Sequence, residues 1–135
     1  MSRPEPTDWV TFQGNPAHTG DNPVLVNVAD ISLKWEKIVN PDEDDGLGKY
    51  GLEQVTAADG KIFVTDDAYV WYGAQFFVLD EADGSELWSK TFDDGRRANP
   101  AAYLDGKVYV STNDEFGSYY DRWYWSFMHG FDPQL

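Results

Sequence analysis

Two segments of the chain share one pattern of short apolar runs joined by an Asp-Gly pair. The first is Val55–Thr65 and the second is Ala101–Ser111, and in both a lysine and three residues of high β propensity follow the Asp-Gly pair. The two glycines, Gly60 and Gly106, stand 46 residues apart (106 − 60). Asp-Gly between apolar runs is a strong signal for a tight β-hairpin. The sequence therefore predicts an all-β fold built from repeated antiparallel hairpins.

A second type of turn carries a tryptophan just after it. Val78–Asp80 reads as the end of a strand, Ala82–Gly84 as a tight turn, and Trp88 follows at the start of the next strand. Asp and Gly favour such turns because Asp bonds to its own backbone and Gly tolerates positive φ. Leu33–Ile38 also alternates as a strand, and Trp35 there holds the position of Trp88, 53 residues earlier (88 − 35).

These signals divide much of the chain into units of four-stranded antiparallel sheets. A period of 40 to 50 residues with hairpins inside each unit indicates a repeat architecture. In the fuller unit the predicted strands are Leu52–Ala58, Lys61–Thr65, Phe76–Asp80 and Leu87–Phe92. In the next unit they are Asn99–Leu104, Lys107–Thr112 and Ser126–Asp132.

The tryptophan hairpin resembles the repeat of the PQQ-like (quinoprotein-type, tryptophan-docking) β-propeller family. That repeat reads Ala-x-Asp-x-x-Thr-Gly-Lys-x-x-Trp, and Asp80, Gly84 and Trp88 match its spacing. Three residues depart from the family pattern at its Ala, Thr and Lys positions, namely Val78, Asp83 and Ser85. The other residues assigned to the structural repeat are Trp35, Gly60, Gly106 and Asp132.

The start of the chain also resembles this family. Trp9–Phe12 reads as a short strand, and a loop rich in Gly, Asn and Pro follows it up to Gly20. His18 lies in this loop, and a structural hydrogen bond is the favoured interpretation of it, over a role as metal ligand or base. The family resemblance thus extends from Trp9 to Pro133.

The resemblance implies a partial PQQ-like propeller domain over residues 1–135. Residues 1–32 would lead into the repeats, 33–38 would form a ring-closing strand, 52–92 the first full blade and 99–135 a second, incomplete blade. Four blades need roughly 180 residues, so an incomplete ring is expected. Its open blade edges are expected to bind a protein partner or a second copy of the chain.

Composition excludes several classes of partner. Ten basic against 24 acidic residues give a net charge of −14, which repels nucleic acid and anionic membrane surfaces. No apolar run is long enough to insert into a membrane. The dispersed acidity is typical of proteins from halophiles, archaeal ones included; the alternative interpretation is an acidic extracellular protein. The resemblance implies an extracytoplasmic or cell-surface location, although Met1–Pro6 shows no signal peptide.

Two predicted loops combine carboxylates with aromatic residues, over 66–73 and over 113–125. One interpretation is a binding surface for a cation, a sugar or a partner; the other is that the rings pack between blades. The residues singled out for a binding loop are Trp71, Tyr72, Tyr119, Tyr120 and Trp123.

Signals for catalysis and metal binding are weak. The chain has no cysteine, and His18 and His129 stand alone. The acidic run Asn40–Gly46 fails the EF-hand pattern because its glycine falls one position late. No catalytic, metal-binding or cofactor-binding residue is therefore predicted.

Two functions follow from the resemblance. The first is a non-catalytic scaffold, similar to propeller proteins that help insert outer-membrane proteins or that decorate archaeal surfaces. The alternative is the N-terminal part of a dehydrogenase for alcohols or sugars that uses pyrroloquinoline quinone and calcium. No cofactor is expected under the first function.

Overall fold

The computed structural model describes residues 27, 29, 31–37, 55–66, 74–92, 97–118 and 121–133. Its eight strands form two antiparallel sheets, with no α-helix in these ranges, so the all-β prediction is confirmed. Other predictions lie outside the described residues: those for Trp9–Phe12, His18, the acidic run 40–46, Trp71, Tyr72, Tyr119 and Tyr120.

The first sheet contains the four strands that the sequence predicts for the fuller unit. They are β1 (Thr56–Ala58), β2 (Lys61–Asp66), β3 (Ala74–Asp80) and β4 (Glu86–Phe92), paired in the order β1-β2-β3-β4. Their ends differ by a few residues from the predicted ends. The register between β3 and β4 shifts between Val78 and Leu79, close to the turn that joins them.

The second sheet has β7 in its centre. Its strands are β5 (Arg97–Ala98), β6 (Ala102–Leu104), β7 (Lys107–Ser118) and β8 (Asp121–Phe131). Both β5 and β6 pair with β7, at different points along it, and β8 pairs with β7 throughout. We infer that β5 and β6 lie end to end on one edge of β7.

The predicted strand Asn99–Leu104 is only partly formed, because regular pairing begins at Ala102. Pro100 has no backbone N–H and so cannot donate to a ladder. The backbone N–H of Asn99 still donates to the carbonyl of Ser111 at 2.9 Å, which holds the segment against β7.

The predicted loop over 113–125 is wrong for most of its length. Residues 113–118 continue β7, residues 121–125 continue β8, and Phe116 stands opposite Trp123 in the register. Aromatic residues have high β propensity. The aromatic content that suggested a binding loop therefore also favours long strands.

The predicted strand Leu33–Ile38 is not formed over 33–37, and Ile38 lies outside the described residues. A strand requires a neighbour, and none of the described strands pairs with this segment. Apolar and polar residues do alternate in this segment. It contacts the rest of the protein through a side chain rather than through strand pairing, as described below.

The two Asp-Gly turns have matching backbone conformations. The φ angles are +54° and +69° at Asp59 and Gly60, and +50° and +77° at Asp105 and Gly106. Two successive positive φ angles are the mark of the turn that best fits the twist of a hairpin, and Asp-Gly is a preferred sequence for it. The predicted repeat of hairpins is therefore confirmed at the level of its turns.

The main core lies between the two sheets. Phe63 and Phe76 of the first sheet are fully buried, as are Val108 and Val110 of the second. Aromatic rings bridge the sheets, with Phe63 stacked on Tyr103 at a centroid distance of 6.0 Å. Aromatic pairs of this kind add to the free energy gained by burying apolar area.

The inner strands β2 and β3 of the first sheet are also buried on the opposite face. Val64, Phe77 and Leu79 form a separate cluster there, with Ile62 packed against it. Strand β3 thus contributes successive residues to two different clusters, because neighbouring side chains on a strand point to opposite faces. These two strands are therefore covered on both faces, whereas Leu87 of β4 is exposed.

Two buried threonines in the first sheet are expected to respond in opposite ways to replacement by valine. The Thr56 hydroxyl donates to the carbonyl of Ala101 at 2.6 Å, whereas the buried Thr65 hydroxyl oxygen has no hydrogen-bond partner within the described ranges. Thr56→Val should cost about 1–3 kcal/mol, because it orphans a buried carbonyl. Thr65→Val should stabilise by about 1 kcal/mol, because it removes an unpaired buried polar group.

Urea unfolding in molar KCl measures both free energies. A loss of stability in both variants, or in neither, would contradict this account of the two hydroxyls.

Candidate functional site

The turn between β3 and β4 is closed by hydrogen bonds from its own residues. The backbone N–H of Asp80 donates to Ser85 O at 2.8 Å, and that of Gly84 donates to Asp80 O at 2.9 Å. The Asp80 carboxylate accepts from the N–H of Ala82 at 2.7 Å. Asp80, which the sequence predicts as a structural turn residue, thus stabilises the turn through hydrogen bonds of both its backbone and its side chain.

Asp83, the second aspartate of this turn, stabilises the end of the turn that leads into β4. The backbone N–H of Ser85 donates to Asp83 Oδ1 at 2.8 Å. Hydrogen bonds from the Ser85 hydroxyl and N–H lower the pKa of the Asp83 carboxyl, because they favour its ionised form. The turn is also tied to the first hairpin, since the N–H of Glu81 donates to Gly60 O at 3.0 Å.

Trp35 docks on this turn. Its indole N–H donates to the carbonyl of Glu81 at 2.9 Å, and the Lys34 ammonium donates to the same oxygen at 3.3 Å. Gly84 has φ of +73°, and a Cβ atom added there would stand 2.7 Å from Cε3 of Trp35. The ring therefore lies on the glycine backbone, and only a residue without a side chain fits beneath it. We call this arrangement of Trp35, Glu81 and Gly84 the indole dock.

Trp88, the other predicted repeat tryptophan, has a different environment. Its ring meets Phe76 edge-on at 5.4 Å and lies 5.5 Å from Phe131 between centroids. Its indole nitrogen is buried and has no hydrogen-bond partner among the residues that the structure describes. An unpaired buried N–H costs free energy, since it has lost its hydrogen bond to water. Trp88 thus joins the two sheets by packing alone.

Both sheets have an open edge among the described strands. Strand β4 ends the first sheet and pairs only with β3, while β8 pairs only with β7. Apolar side chains are exposed on these outer strands, with Leu87 of β4 at 47% and Met128 of β8 at 72%. Asp132, the remaining repeat residue, is exposed at the end of β8.

His129 lies on β8 and contacts a hydroxyl group and an aromatic ring. The Thr112 hydroxyl lies 3.0 Å from Nε2 of His129, whose ring packs against Phe92 at a centroid distance of 4.5 Å. Nowhere in the described ranges do three or more His, Asp or Glu side chains gather as metal ligands would. The same ranges hold no helix long and apolar enough to span a membrane.

The sequence identifies two of the three residues of the indole dock but not the contact that forms it. Trp35 and Gly84 are assigned to the repeat by spacing, and the structure brings them together. The acceptor of the indole bond is the backbone carbonyl of Glu81, which no side-chain pattern reveals. Trp123 of the predicted binding loop is placed on β8, and the other four residues of that loop lie outside the described ranges.

Comparison of the chain with protein families, with curated proteins and with solved structures finds no match to any of them.

Proposed function

We propose that this chain is a non-catalytic repeat protein of the PQQ-like β-propeller kind, which acts as a scaffold for protein binding or assembly. The observation that carries the proposal is the pair of open edges, on β4 and β8, of two sheets that are packed face to face. An open edge offers unpaired backbone donors and acceptors to a strand of another chain.

Two features support the propeller part of the proposal. Each sheet contains the same Asp-Gly hairpin, and propeller blades are four-stranded sheets repeated around an axis. The inner strands β2 and β3 of the first sheet are buried on both faces, as those of a blade between two neighbours would be. Residues 52–92 would then be one blade and 99–135 part of the next.

Charge determines the conditions under which copies of the chain would associate. With −14 on each copy, repulsion opposes association at low ionic strength. At 1 M salt the Debye length falls to about 3 Å, so this repulsion is largely screened. The acidity fits a protein that works in a salt-rich environment, and we include a halophilic source in the proposal.

Solution mass tests the scaffold proposal directly. Light scattering after size exclusion, over a range of protein concentrations, should show a defined oligomer in molar KCl and a smaller species at low salt. A folded monomer at every concentration in both buffers would contradict assembly through open edges.

The dehydrogenase alternative has its own assay. The protein is mixed with pyrroloquinoline quinone, calcium, an alcohol or aldose, and a reducible dye. The scaffold proposal predicts dye reduction no faster than in a blank without protein. Protein-dependent turnover would show that the chain is catalytic.

A further inference from the structure

Two hairpin turns of this fold share the sequence Asp-Gly-Lys. Asp59-Gly60 joins β1 to β2, Asp105-Gly106 joins β6 to β7, and a lysine follows each pair. Both aspartates are exposed, and their φ angles are +54° and +50°. Since sequence and backbone conformation match, a chemical difference between the two turns has to come from the contacts around each of them.

An aspartate followed by glycine is open to a reaction with its own backbone. The glycine nitrogen gives up its proton and bonds to the side-chain carboxyl carbon of the aspartate, and one carboxyl oxygen leaves as water, which closes a succinimide ring. Water then adds to one of the two ring carbonyls. Addition at the side-chain carbonyl restores aspartate, whereas addition at the main-chain carbonyl leaves the glycine attached through the side chain, as isoaspartate. The water lost in the first step is regained in the second, and no oxidant or reductant takes part.

Ring closure requires the turn to open. The ring holds the backbone of the aspartate in a conformation that a hydrogen-bonded hairpin turn does not allow. Glycine presents the nitrogen without a side chain beside it, so the opened turn reacts readily. The rate in a folded protein therefore follows the fraction of molecules in which the turn is locally open, and a turn with fewer fixed contacts opens more often.

The turn at Asp59 has two contacts that resist opening. The backbone N–H of Glu81 donates to Gly60 O at 3.0 Å, which ties this turn to the one between β3 and β4. The Lys61 ammonium lies 3.5 Å from Asp59 Oδ2 and donates to Asp59 O at 3.1 Å. The second contact holds the carboxylate that would have to react.

The turn at Asp105 cannot form the first of these contacts. Strands β2 and β3 pair in the same register as β7 and β8, counted from the glycine of each turn. This register places Pro133 beside the second turn, where Glu81 stands beside the first. Proline has no backbone N–H, so Pro133 cannot donate to the carbonyl of Gly106.

The second contact is missing as well. Lys107 is exposed, whereas only 15% of the Lys61 side chain is. In the part of the chain that the structure describes, no ion pair joins Lys107 to Asp105. The two turns thus have one sequence and one conformation but different restraints.

We propose that Asp105-Gly106 is a site of spontaneous isoaspartate formation in the folded protein, from which the turn at Asp59 is protected. The inference does not depend on the proposed function. Isoaspartate lengthens the backbone of the turn by one methylene group. Strand β6 ends at this turn, and its Tyr103 stacks on Phe63 of the first sheet. The modification therefore changes a strand through which the two sheets pack.

A third Asp-Gly pair, Asp83-Gly84, is protected at both reacting groups. The Gly84 N–H, which would have to supply the nucleophile, donates to Asp80 O at 2.9 Å. The Asp83 carboxylate accepts from the N–H of Ser85 at 2.8 Å. Isoaspartate should form more slowly here than at Asp105. Two further pairs, Asp45-Gly46 and Asp94-Gly95, lie outside the described residues.

Peptide mapping after long incubation tests the proposal. Wild-type protein is kept folded for several weeks at neutral pH in molar KCl, in water enriched in heavy oxygen, and is then digested. Each hydrolysed ring retains one heavy oxygen, and electron-transfer fragmentation distinguishes isoaspartate from aspartate. Isoaspartate should form about five- to tenfold faster at position 105 than at 59, which is the effect of one ordinary hydrogen bond on turn opening.

The same protein unfolded in urea is the matched control. Because both sites read Asp-Gly-Lys, the two rates should converge once the folded contacts are lost. Equal rates in the folded protein, or a faster rate at Asp59, would overturn the proposal. A difference of the same size in urea would overturn it too, since the flanking residues would then be its cause.

Glu81→Pro tests the cause that we assign. It gives the first sheet the Asp-Pro sequence that the second has at 132–133, and it removes the N–H that donates to Gly60 O while keeping the carbonyl to which Trp35 donates. Isoaspartate at Asp59 should then form about five- to tenfold faster than in wild type. Glu81→Ala keeps the N–H and should leave the rate unchanged. No acceleration by Glu81→Pro, or the same acceleration by both variants, would contradict the role of this hydrogen bond.

Discussion

Replacement of Phe76 by alanine is expected to lower the free energy of unfolding by about 3–5 kcal/mol. Phe76 is fully buried between the sheets. Its ring stacks on Phe63 at 6.4 Å and on Phe131 at 5.8 Å between centroids, and meets Trp88 edge-on. Removing it leaves a cavity that touches both sheets. A domain of ordinary stability has a free energy of unfolding of about 5–15 kcal/mol, and this substitution would remove a large part of that free energy.

Urea unfolding of wild type and variant in molar KCl gives this free energy. Leu104→Ala is the matched control, since Leu104 is 57% exposed and its loss should cost no more than about 0.5 kcal/mol. Phe→Ala in a packed core costs several-fold more than about 1 kcal/mol. A cost below about 1 kcal/mol for Phe76→Ala would therefore show that the sheets do not pack through this ring.

Gly84→Ala is expected to lower stability by about 2–4 kcal/mol, of which about 1 kcal/mol is the backbone cost of positive φ. The rest comes from Trp35, because the new methyl group would overlap its ring and displace it from the dock. Displacement loses the bond to Glu81 and the buried contact of the ring.

Gly60→Ala separates these two causes. Gly60 has φ of +69°, close to the +73° of Gly84, but a Cβ atom there would meet nothing within 4 Å. Its replacement should therefore cost only the backbone part, about 1 kcal/mol. The indole N–H resonance of Trp35, assigned with a Trp35→Phe variant, should move in Gly84→Ala and stay in place in Gly60→Ala. Equal shifts in the two variants would contradict the indole dock.

The hairpins of this fold are predictable because their signals are local. At Asp59-Gly60 and Asp105-Gly106, the turn conformation depends on residues that are adjacent in the sequence. The alternation of apolar residues on either side then places the flanking strands. Strand ends are less certain, as Pro100 shows where it interrupts the pairing along β7.

Partners that are distant in the sequence are harder to predict. The alternating pattern of Leu33–Ile38 tells which side chains a strand would bury, but not whether a neighbouring strand is available. The sequence also does not predict the full length of β7 and β8, because aromatic residues are common both in binding loops and in paired strands.

The candidate site also combines features that have a local sequence signal with contacts that have none. Trp35 and Gly84 follow from repeat spacing, whereas the Glu81 carbonyl that accepts the indole bond is a backbone atom and has no sequence signal. Nothing local in the sequence indicates that the Trp88 indole nitrogen is buried without a partner in the described part of the chain. The binding role assigned to Trp71, Tyr72, Tyr119, Tyr120 and Trp123 stays a prediction.

Hydrogen–deuterium exchange at several protein concentrations in molar KCl tests the central claim, that open sheet edges carry association. Backbone amides of residues 126–131 on β8 should exchange more slowly as concentration rises, because a strand of another copy would cover that edge. Those of the turn 81–85, which is closed by its own hydrogen bonds, should not change. Exchange in 126–131 that is the same at every concentration would contradict the claim.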